Sequence, residues 1–151
     1  YDPTNKYEAK RKVEDLTKKY PLEGIVNLKG YTNDVASVYN DAQIFGLTSV
    51  MEGFDLAIME AISHGVVGVT YDVNYGPNDI IQDGKNGYVV DFNDWHAIAD
   101  RMLELFKNPQ LMQKMSDGAY ESANRYSPDS VWQNWNKLLT DAKQTLKGSE
   151  K

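Results

Sequence analysis

Two glutamates with seven residues between them carry the clearest chemistry in this sequence. Glu52 stands in a loop that contains Gly53, and Glu60 lies in the helix predicted over residues 56–63. The N-terminus of a helix presents unpaired backbone amides and the positive end of a dipole, so it favours an anion. A carboxylate on the same helix can accept hydrogen bonds from two adjacent hydroxyl groups. Together the two features indicate a ligand with a phosphate beside a sugar.

The loop between the glutamates supplies the predicted anion site. Gly53 has no side chain, so its backbone can approach a ligand closely. The amides of Phe54, Asp55 and Leu56 would be the unsatisfied donors of the helix start, and they could hold a phosphate without a basic side chain. A structural origin is the alternative interpretation, because the helix dipole by itself favours glutamate near an N-terminus.

The surrounding elements predict an α/β fold that positions this loop. Apolar, β-branched runs predict short strands, and amphipathic or capped segments between them predict helices. The predicted strands cover residues 25–28, 44–47, 66–70 and 88–90, and the predicted helices include 5–20, 35–39, 56–63 and three more after residue 94. Alternating strands and helices favour a Rossmann-like parallel sheet with flanking helices. Its ligands bind at the carboxyl ends of the strands, where the loops at 30–32, 48–55 and 71–77 should form one rim.

The composition excludes several classes of function. The chain has 151 residues and a formal net charge of −6, which argues against a nucleic-acid surface. It contains no cysteine and only two histidines, so we expect no metal site and no disulfide. We expect no membrane span or signal peptide, and therefore a cytoplasmic domain.

The sequence resembles the C-terminal, nucleotide-sugar-binding domain of the retaining GT-B glycosyltransferases of family four. The pair Glu52 and Glu60 matches the signature of that family, and residues 80–90 match its next block. Residues 71–77, Tyr-Asp-Val-Asn-Tyr-Gly-Pro, look like a narrower bacterial group. That group includes wall teichoic acid glycosyltransferases and the enzymes that attach N-acetylglucosamine to serine-rich adhesins.

The resemblance implies a role for each candidate residue. Glu60 would bind the ribose of a UDP-sugar, Glu52 would face the sugar as the catalytic-side carboxylate, and the amides of residues 53–56 would hold sugar and phosphate. Tyr31 and Thr32 would lie beside the uracil. No cofactor or metal is implied.

The implied activity is transfer of a hexosyl unit, glucose or N-acetylglucosamine, from a UDP-sugar to a cell-wall polymer or a protein. Retention would follow from front-face displacement, with the diphosphate leaving group stabilised electrostatically. Two alternatives are a non-catalytic partner subunit of a glycosyltransferase complex and a nucleotide-sugar epimerase with a GT-B fold. The retained glutamate pair argues against the first, and the family-four blocks argue against the second.

The sequence also departs from the family. Many members have glycine at the position of Asp55, and we expect this carboxylate to turn away from the diphosphate and cap the helix. The resemblance further implies that residues 1–146 are a partial donor-binding domain with a frayed tail at 147–151. Two strands, the basic residues that grip the diphosphate and the N-terminal acceptor domain would be missing. Such a fragment should be inactive, should expose or swap a sheet edge and should form a homodimer, while the parent protein could lie at a membrane surface.

Four other residues have ordinary structural explanations. His64 in a last helical turn is favoured by the helix dipole. We expect Trp135 to pack in the core. Tyr75 and Asn78 follow the strand at 66–70, where contact with substrate and a rigid turn are both open interpretations.

Overall fold

The structure is a computed structural model that describes residues 3–22, 24–51, 53–74 and 76–148. The chain divides into two compact units, residues 1–33 and residues 34–151. The first unit contains helix α1, Pro3–Lys19, followed by an irregular segment in which Gly24 and Gly30 have positive φ. The predicted strand at 25–28 is wrong, because these residues form turn and coil. A strand requires a hydrogen-bonded neighbour, and no described residue pairs with this segment.

The second unit alternates helices with three strands, as the sequence predicts. In chain order its elements are α2 Val35–Asn40, β1 Ile44–Leu47, α3 Leu56–Ser63, β2 Val67–Tyr71, α4 Pro77–Ile80, β3 Gly87–Val90, α5 Trp95–Lys107, α6 Pro109–Ala123, a 3-10 helix Asn124–Tyr126, and α7 Pro128–Gly148. The predicted strand β1 and helix α3 have the observed bounds, whereas α4 was not predicted. Helix α7 ends within the tail that was predicted to fray.

The three strands form a parallel sheet in the order β1-β2-β3. Ile44 pairs with Val67 at the start of β1, and Gly68 pairs with Gly87 at the start of β3. All five residues of β2 are buried, which is typical of a central parallel strand covered on both faces. The carboxyl ends of the strands therefore lie at one edge of the sheet, and the loops that follow β1 and β2 are neighbours there.

Three apolar clusters are found among the described residues, and two of them join the sheet and its loops to α3, α4, α5 and α6. One joins alternate residues of β2 to α5 and α6 through Ile98, Leu105 and Met115. The other joins α3 to α4 and α6 through Ile58, Ile62, Ile80, Ile81 and Ala119. Since α3 is anchored in the second cluster, its N-terminus is fixed relative to the rim of the sheet.

Helix α7 presents apolar side chains to solvent. Trp132 is 64% exposed and Trp135 is 55% exposed. The prediction that Trp135 packs in the core is therefore wrong. The amphipathic spacing of the helix identifies its apolar face, but spacing cannot tell whether another element covers that face.

Candidate functional site

The start of α3 is fixed by Asp55. Its carboxylate accepts a hydrogen bond from the Ile58 amide at 3.2 Å, and its carbonyl accepts one from the Met59 amide at 3.2 Å. The residue is 4% exposed, so the side chain is turned into the protein. This confirms the predicted capping role. Asp55 stands where many members of the family that the sequence resembles have glycine. Its negative charge lies at the start of α3, where the helix dipole stabilises it.

The residues before the cap are held by the loop that follows β2. Gly76 has φ of +96°, and a Cβ atom at this position would lie 2.1 Å from the carbonyl oxygen of Gly53. The two backbones are therefore in direct contact, and a side chain on Gly76 would push the Gly53 loop away. Apart from its chain neighbours, no described residue has an atom within 4 Å of an equivalent Cβ position on Gly53, so this position is open toward the described part of the chain.

Phe54 is exposed on this loop but has an aromatic neighbour. Its ring lies 6.1 Å from the ring of Tyr126, at an interplanar angle of 64°. This edge-to-face arrangement is a favoured geometry for aromatic pairs. The Tyr126 hydroxyl donates a hydrogen bond of 2.7 Å to the carbonyl oxygen of Asp79 in α4. The loop is thus supported from both sides, by Gly76 and by Tyr126.

Glu60 lies one turn further along α3, beside a hollow of about 210 Å³. The hollow is lined by Val35, Ala36, Tyr39, Glu60 and His64. Glu60 is exposed, so its carboxylate is accessible to a ligand. Four residues of helix separate Leu56 from Glu60, which corresponds to about 6 Å along the axis. The amides of the helix start and the carboxylate can therefore address two adjacent groups of one ligand.

Tyr39 forms the wall of this hollow. Its hydroxyl donates to the carbonyl oxygen of Ala57 at 3.2 Å, and its ring lies 5.5 Å from that of His64. Burial raises the pKa of the Tyr39 hydroxyl above its ordinary value of 10.0, and the nearby carboxylates of Glu60 and Asp55 raise it further. The raised pKa extends to higher pH the range in which the hydroxyl is neutral, and its one proton is donated to Ala57.

His64 ends α3 as the sequence analysis expected. Its Nδ1 atom lies 2.9 Å from the carbonyl oxygen of Glu60 and 3.2 Å from the hydroxyl of Ser63. Gly65 follows with φ of +72° and terminates the helix. The imidazole thus has local partners in the last turn, which agrees with the structural explanation for this residue.

The structure brings together only part of the predicted site. Gly53, Phe54, Asp55, Leu56 and Glu60 share the start of α3, and Phe54 and Leu56 are 58% and 65% exposed. Tyr31 and Thr32 belong to the first compact unit. Glu52 and Tyr75 lie outside the described residues. Asn78 donates a hydrogen bond to the carboxylate of Asp72 across the turn, and this bond stabilises the turn.

The sequence did not indicate Tyr39 and Tyr126 as parts of this region. Tyr39 precedes its hydrogen-bonding partner Ala57 by 18 residues, and Tyr126 follows Asp79 by 47. No spacing rule connects residues that are so far apart in the chain. The only available signal was that a buried tyrosine usually finds a partner for its hydroxyl.

Within the described ranges, no three or more His, Cys, Asp or Glu side chains are grouped to hold a metal ion. In the same part of the chain, no helix has both the length and the apolar character required to cross a membrane.

Solved structures with the same fold define the class of the domain. The chain superimposes on TarM of S. aureus with a TM-score of 0.76 and 33% identity, covering 85% of this chain and 26% of that one. It superimposes on the pneumococcal O-GlcNAc transferase GtfA, solved with UDP and GlcNAc, with a TM-score of 0.72 and 26% identity over 85% and 26% of the two chains. The fold is therefore that of a domain of GT-B glycosyltransferases.

Sequence comparison gives the family. The model described as "Glycosyl transferases group 1" matches residues 6–122, and the chain belongs to this family. Poly(glycerol-phosphate) alpha-glucosyltransferase of Bacillus subtilis is 38% identical over 128 residues, which cover 85% of this chain and 18% of that protein. The chain thus spans about a fifth to a quarter of the length of these relatives.

Proposed function

We propose that this chain is the donor-binding part of a retaining glycosyltransferase that transfers a hexosyl unit from a UDP-sugar. One observation carries the proposal: the capped, externally supported start of α3 and the exposed Glu60 carboxylate lie on one helix, about 6 Å apart along its axis. A nucleoside diphosphate can bridge these two groups. The GtfA structure that resembles this chain was solved with UDP, which favours the same ligand class here.

Each part of the site has a proposed role. The amides of residues 53–56 bind the diphosphate and the adjoining sugar, and Glu60 accepts hydrogen bonds from the two ribose hydroxyls. From the family resemblance we assign Glu52 to recognition of the transferred sugar, and Tyr31 and Thr32 to recognition of the uracil. The helix start stabilises the negative charge that develops on the leaving diphosphate during front-face displacement.

The relatives suggest the sugar and the acceptor. The name of the Bacillus relative specifies a glucosyl unit and poly(glycerol-phosphate), whereas GtfA was solved with GlcNAc. We therefore propose glucose or N-acetylglucosamine as the sugar and a cell-wall polymer or a protein as the acceptor. We also propose that the 151 residues bind donor without turnover, because the relatives are several times longer.

Titration of UDP tests the proposed donor site. We expect Glu60→Gln to weaken UDP affinity by about tenfold, since hydrogen bonds to a charged group contribute about 1.5–3 kcal/mol and the amide retains one acceptor. Calorimetry or NMR titration measures the change. Glu104→Gln is the matched control, because Glu104 lies on α5 and pairs with Arg101. Unchanged affinity in Glu60→Gln would remove this residue from the ribose site.

We further propose that β1 mediates a homodimer. Within the described residues β1 pairs only with β2, so its other edge carries unpaired backbone groups in the sheet plane. Light scattering should then give the mass of two 17.1 kDa chains at high concentration. A monodisperse monomer over the whole concentration range would contradict the dimer and leave the donor site untouched.

A further inference from the structure

Tyr126 connects the end of α6 to the loop that precedes α3. It is the last residue of the 3-10 helix that joins α6 to α7, and it is half-buried. Its ring packs against the apolar cluster that includes Ile58 and Ile80, and its edge-to-face contact with Phe54 reaches the loop. This side chain therefore packs against the cluster in which α3 is anchored and contacts the loop in front of that helix.

A chain of backbone contacts leads from the Tyr126 hydroxyl to Gly53. The hydroxyl donates to the Asp79 carbonyl oxygen at 2.7 Å, and the Asp79 amide donates to the Gly76 carbonyl oxygen at 3.1 Å. Gly76 in turn lies so close to Gly53 that a Cβ would be 2.1 Å from the Gly53 oxygen. Tyr126 thus supports the loop twice, through Phe54 and through α4.

We propose that Tyr126 is a positioning residue that sets the geometry of the residue 53–56 amides toward the donor diphosphate. This inference rests on the proposed function, because it assigns a purpose to loop geometry at the donor site. The hydroxyl fixes α4 and hence Gly76, while the ring fixes Phe54. Tyr126 does not contact the donor itself and acts only through these two residues.

A purely structural role predicts a different result from a positioning role. Loss of packing would lower the stability of the domain and leave ligand affinity unchanged in the folded protein. A displaced loop would weaken binding of the phosphate groups but not of the nucleoside, because Glu60 is anchored in α3 independently of the loop. The comparison of UDP with uridine therefore separates the two roles.

The experiment uses the 151-residue chain and the variants Tyr126→Phe and Tyr126→Ala. Tyr120→Phe is the matched control, because Tyr120 lies on α6 and packs on Gly65 at the other end of α3. We expect Tyr126→Phe to weaken UDP binding by about 3-fold and Tyr126→Ala by about 10-fold, with uridine affinity unchanged in both. Tyr120→Phe should change neither affinity.

Hydrogen exchange provides a readout that needs no ligand. We expect the Gly53 and Phe54 amides to exchange faster in both Tyr126 variants than in Tyr120→Phe, at temperatures where all variants are folded. If UDP binds wild type no better than uridine while exchange at these amides responds to Tyr126, the proposed function fails and the loop support stands. If UDP affinity and loop exchange are both unchanged in Tyr126→Phe and Tyr126→Ala, the positioning role is overturned.

Discussion

Helices α3 and α5 begin with the same local device in different surroundings. Asp55 caps α3 through the Ile58 amide at 3.2 Å, and Asp94 caps α5 through the Ala97 amide at 2.9 Å. Asp55 is 4% exposed, whereas Asp94 is exposed. The entry to α5 is a turn in which the Asp94 amide donates to the Asp91 carbonyl oxygen at 3.0 Å, and the ring of Phe92 in this turn lies 6.0 Å from the ring of Tyr71 in β2.

The entry to α3 has two contacts with residues distant in sequence. Gly76 meets Gly53 by backbone contact, and Tyr126 meets Phe54 by an aromatic contact. An aspartate cap and one aromatic contact therefore support the start of either helix, but of the two loops only the one before α3 is also held by a close backbone contact, that of Gly76. Such external support is the preorganisation that a ligand site requires.

The largest expected effect comes from a substitution that pushes the loop before α3 away from Gly76. Gly76→Ala should destabilise the domain by about 3 kcal/mol, from positive-φ strain together with the clash on the Gly53 carbonyl. Chemical denaturation measures the change. Gly84→Ala is the matched control, since Gly84 has φ of +74° and no atom of the described residues beyond its chain neighbours lies within 4 Å of a Cβ there. Gly84→Ala should lower the free energy of unfolding by only about 1 kcal/mol. Equal losses in the two variants would show that the contact between Gly76 and Gly53 does not contribute to stability.

Removal of the two caps compares the helices directly. Asp94→Ala should cost about 1 kcal/mol of stability, and Asp55→Ala about 2 kcal/mol because its carboxylate is buried. Thermal or urea unfolding gives both values. UDP affinity should fall only in Asp55→Ala. A similar fall in Asp94→Ala would show that the effect on affinity is indirect.

The smallest expected effect is the titration of Tyr39. Its folded-state pKa is raised above 10.0, first by burial and then by Glu60 and Asp55, so this hydroxyl adds stability below pH 10. That contribution should be lost as the pH rises from 10 through the raised pKa. Stability measurements across this window should show a shallower decline in Glu60→Gln.

A second tyrosine provides the control for this titration. The pKa of Tyr88 is also raised by burial and then by a carboxylate, that of Glu104. Glu104→Gln should therefore lower the Tyr88 pKa and leave the Tyr39 titration as it is in wild type. Because the chain has ten tyrosines, NMR of the assigned tyrosine rings as a function of pH measures each titration separately. An identical response of Tyr39 to both substitutions would contradict the placement of Glu60 beside it.

Local patterns predicted the elements that carry the site. The bounds of β1 and α3 and the cap at Asp55 follow from apolar periodicity and from the short-range chemistry of a helix start. The strand predicted at 25–28 failed because pairing depends on a neighbour that the local sequence does not specify. The exposure of Trp135 could not be predicted for a similar reason, since amphipathic spacing does not identify what covers a face.

The contacts that support the loop before α3 could not be predicted from the sequence. Gly76 was interpreted only as part of a turn, and Tyr126 was not identified at all. Both act through contacts that the fold creates between the loop after β1, the loop after β2 and the end of α6. The resemblance to a family gave the residues around Glu60 a role, but not the geometry that holds them.

An NMR titration of the chain with UDP tests the central claim most directly. If the start of α3 is the donor site, amide shifts should concentrate at residues 53–57 and 60 and be absent at the start of α5, residues 94–97. Because both helices carry an aspartate cap, α5 serves as an internal control for non-specific binding to a helix start. Equal shifts at the two starts, or shifts at neither, would contradict the account.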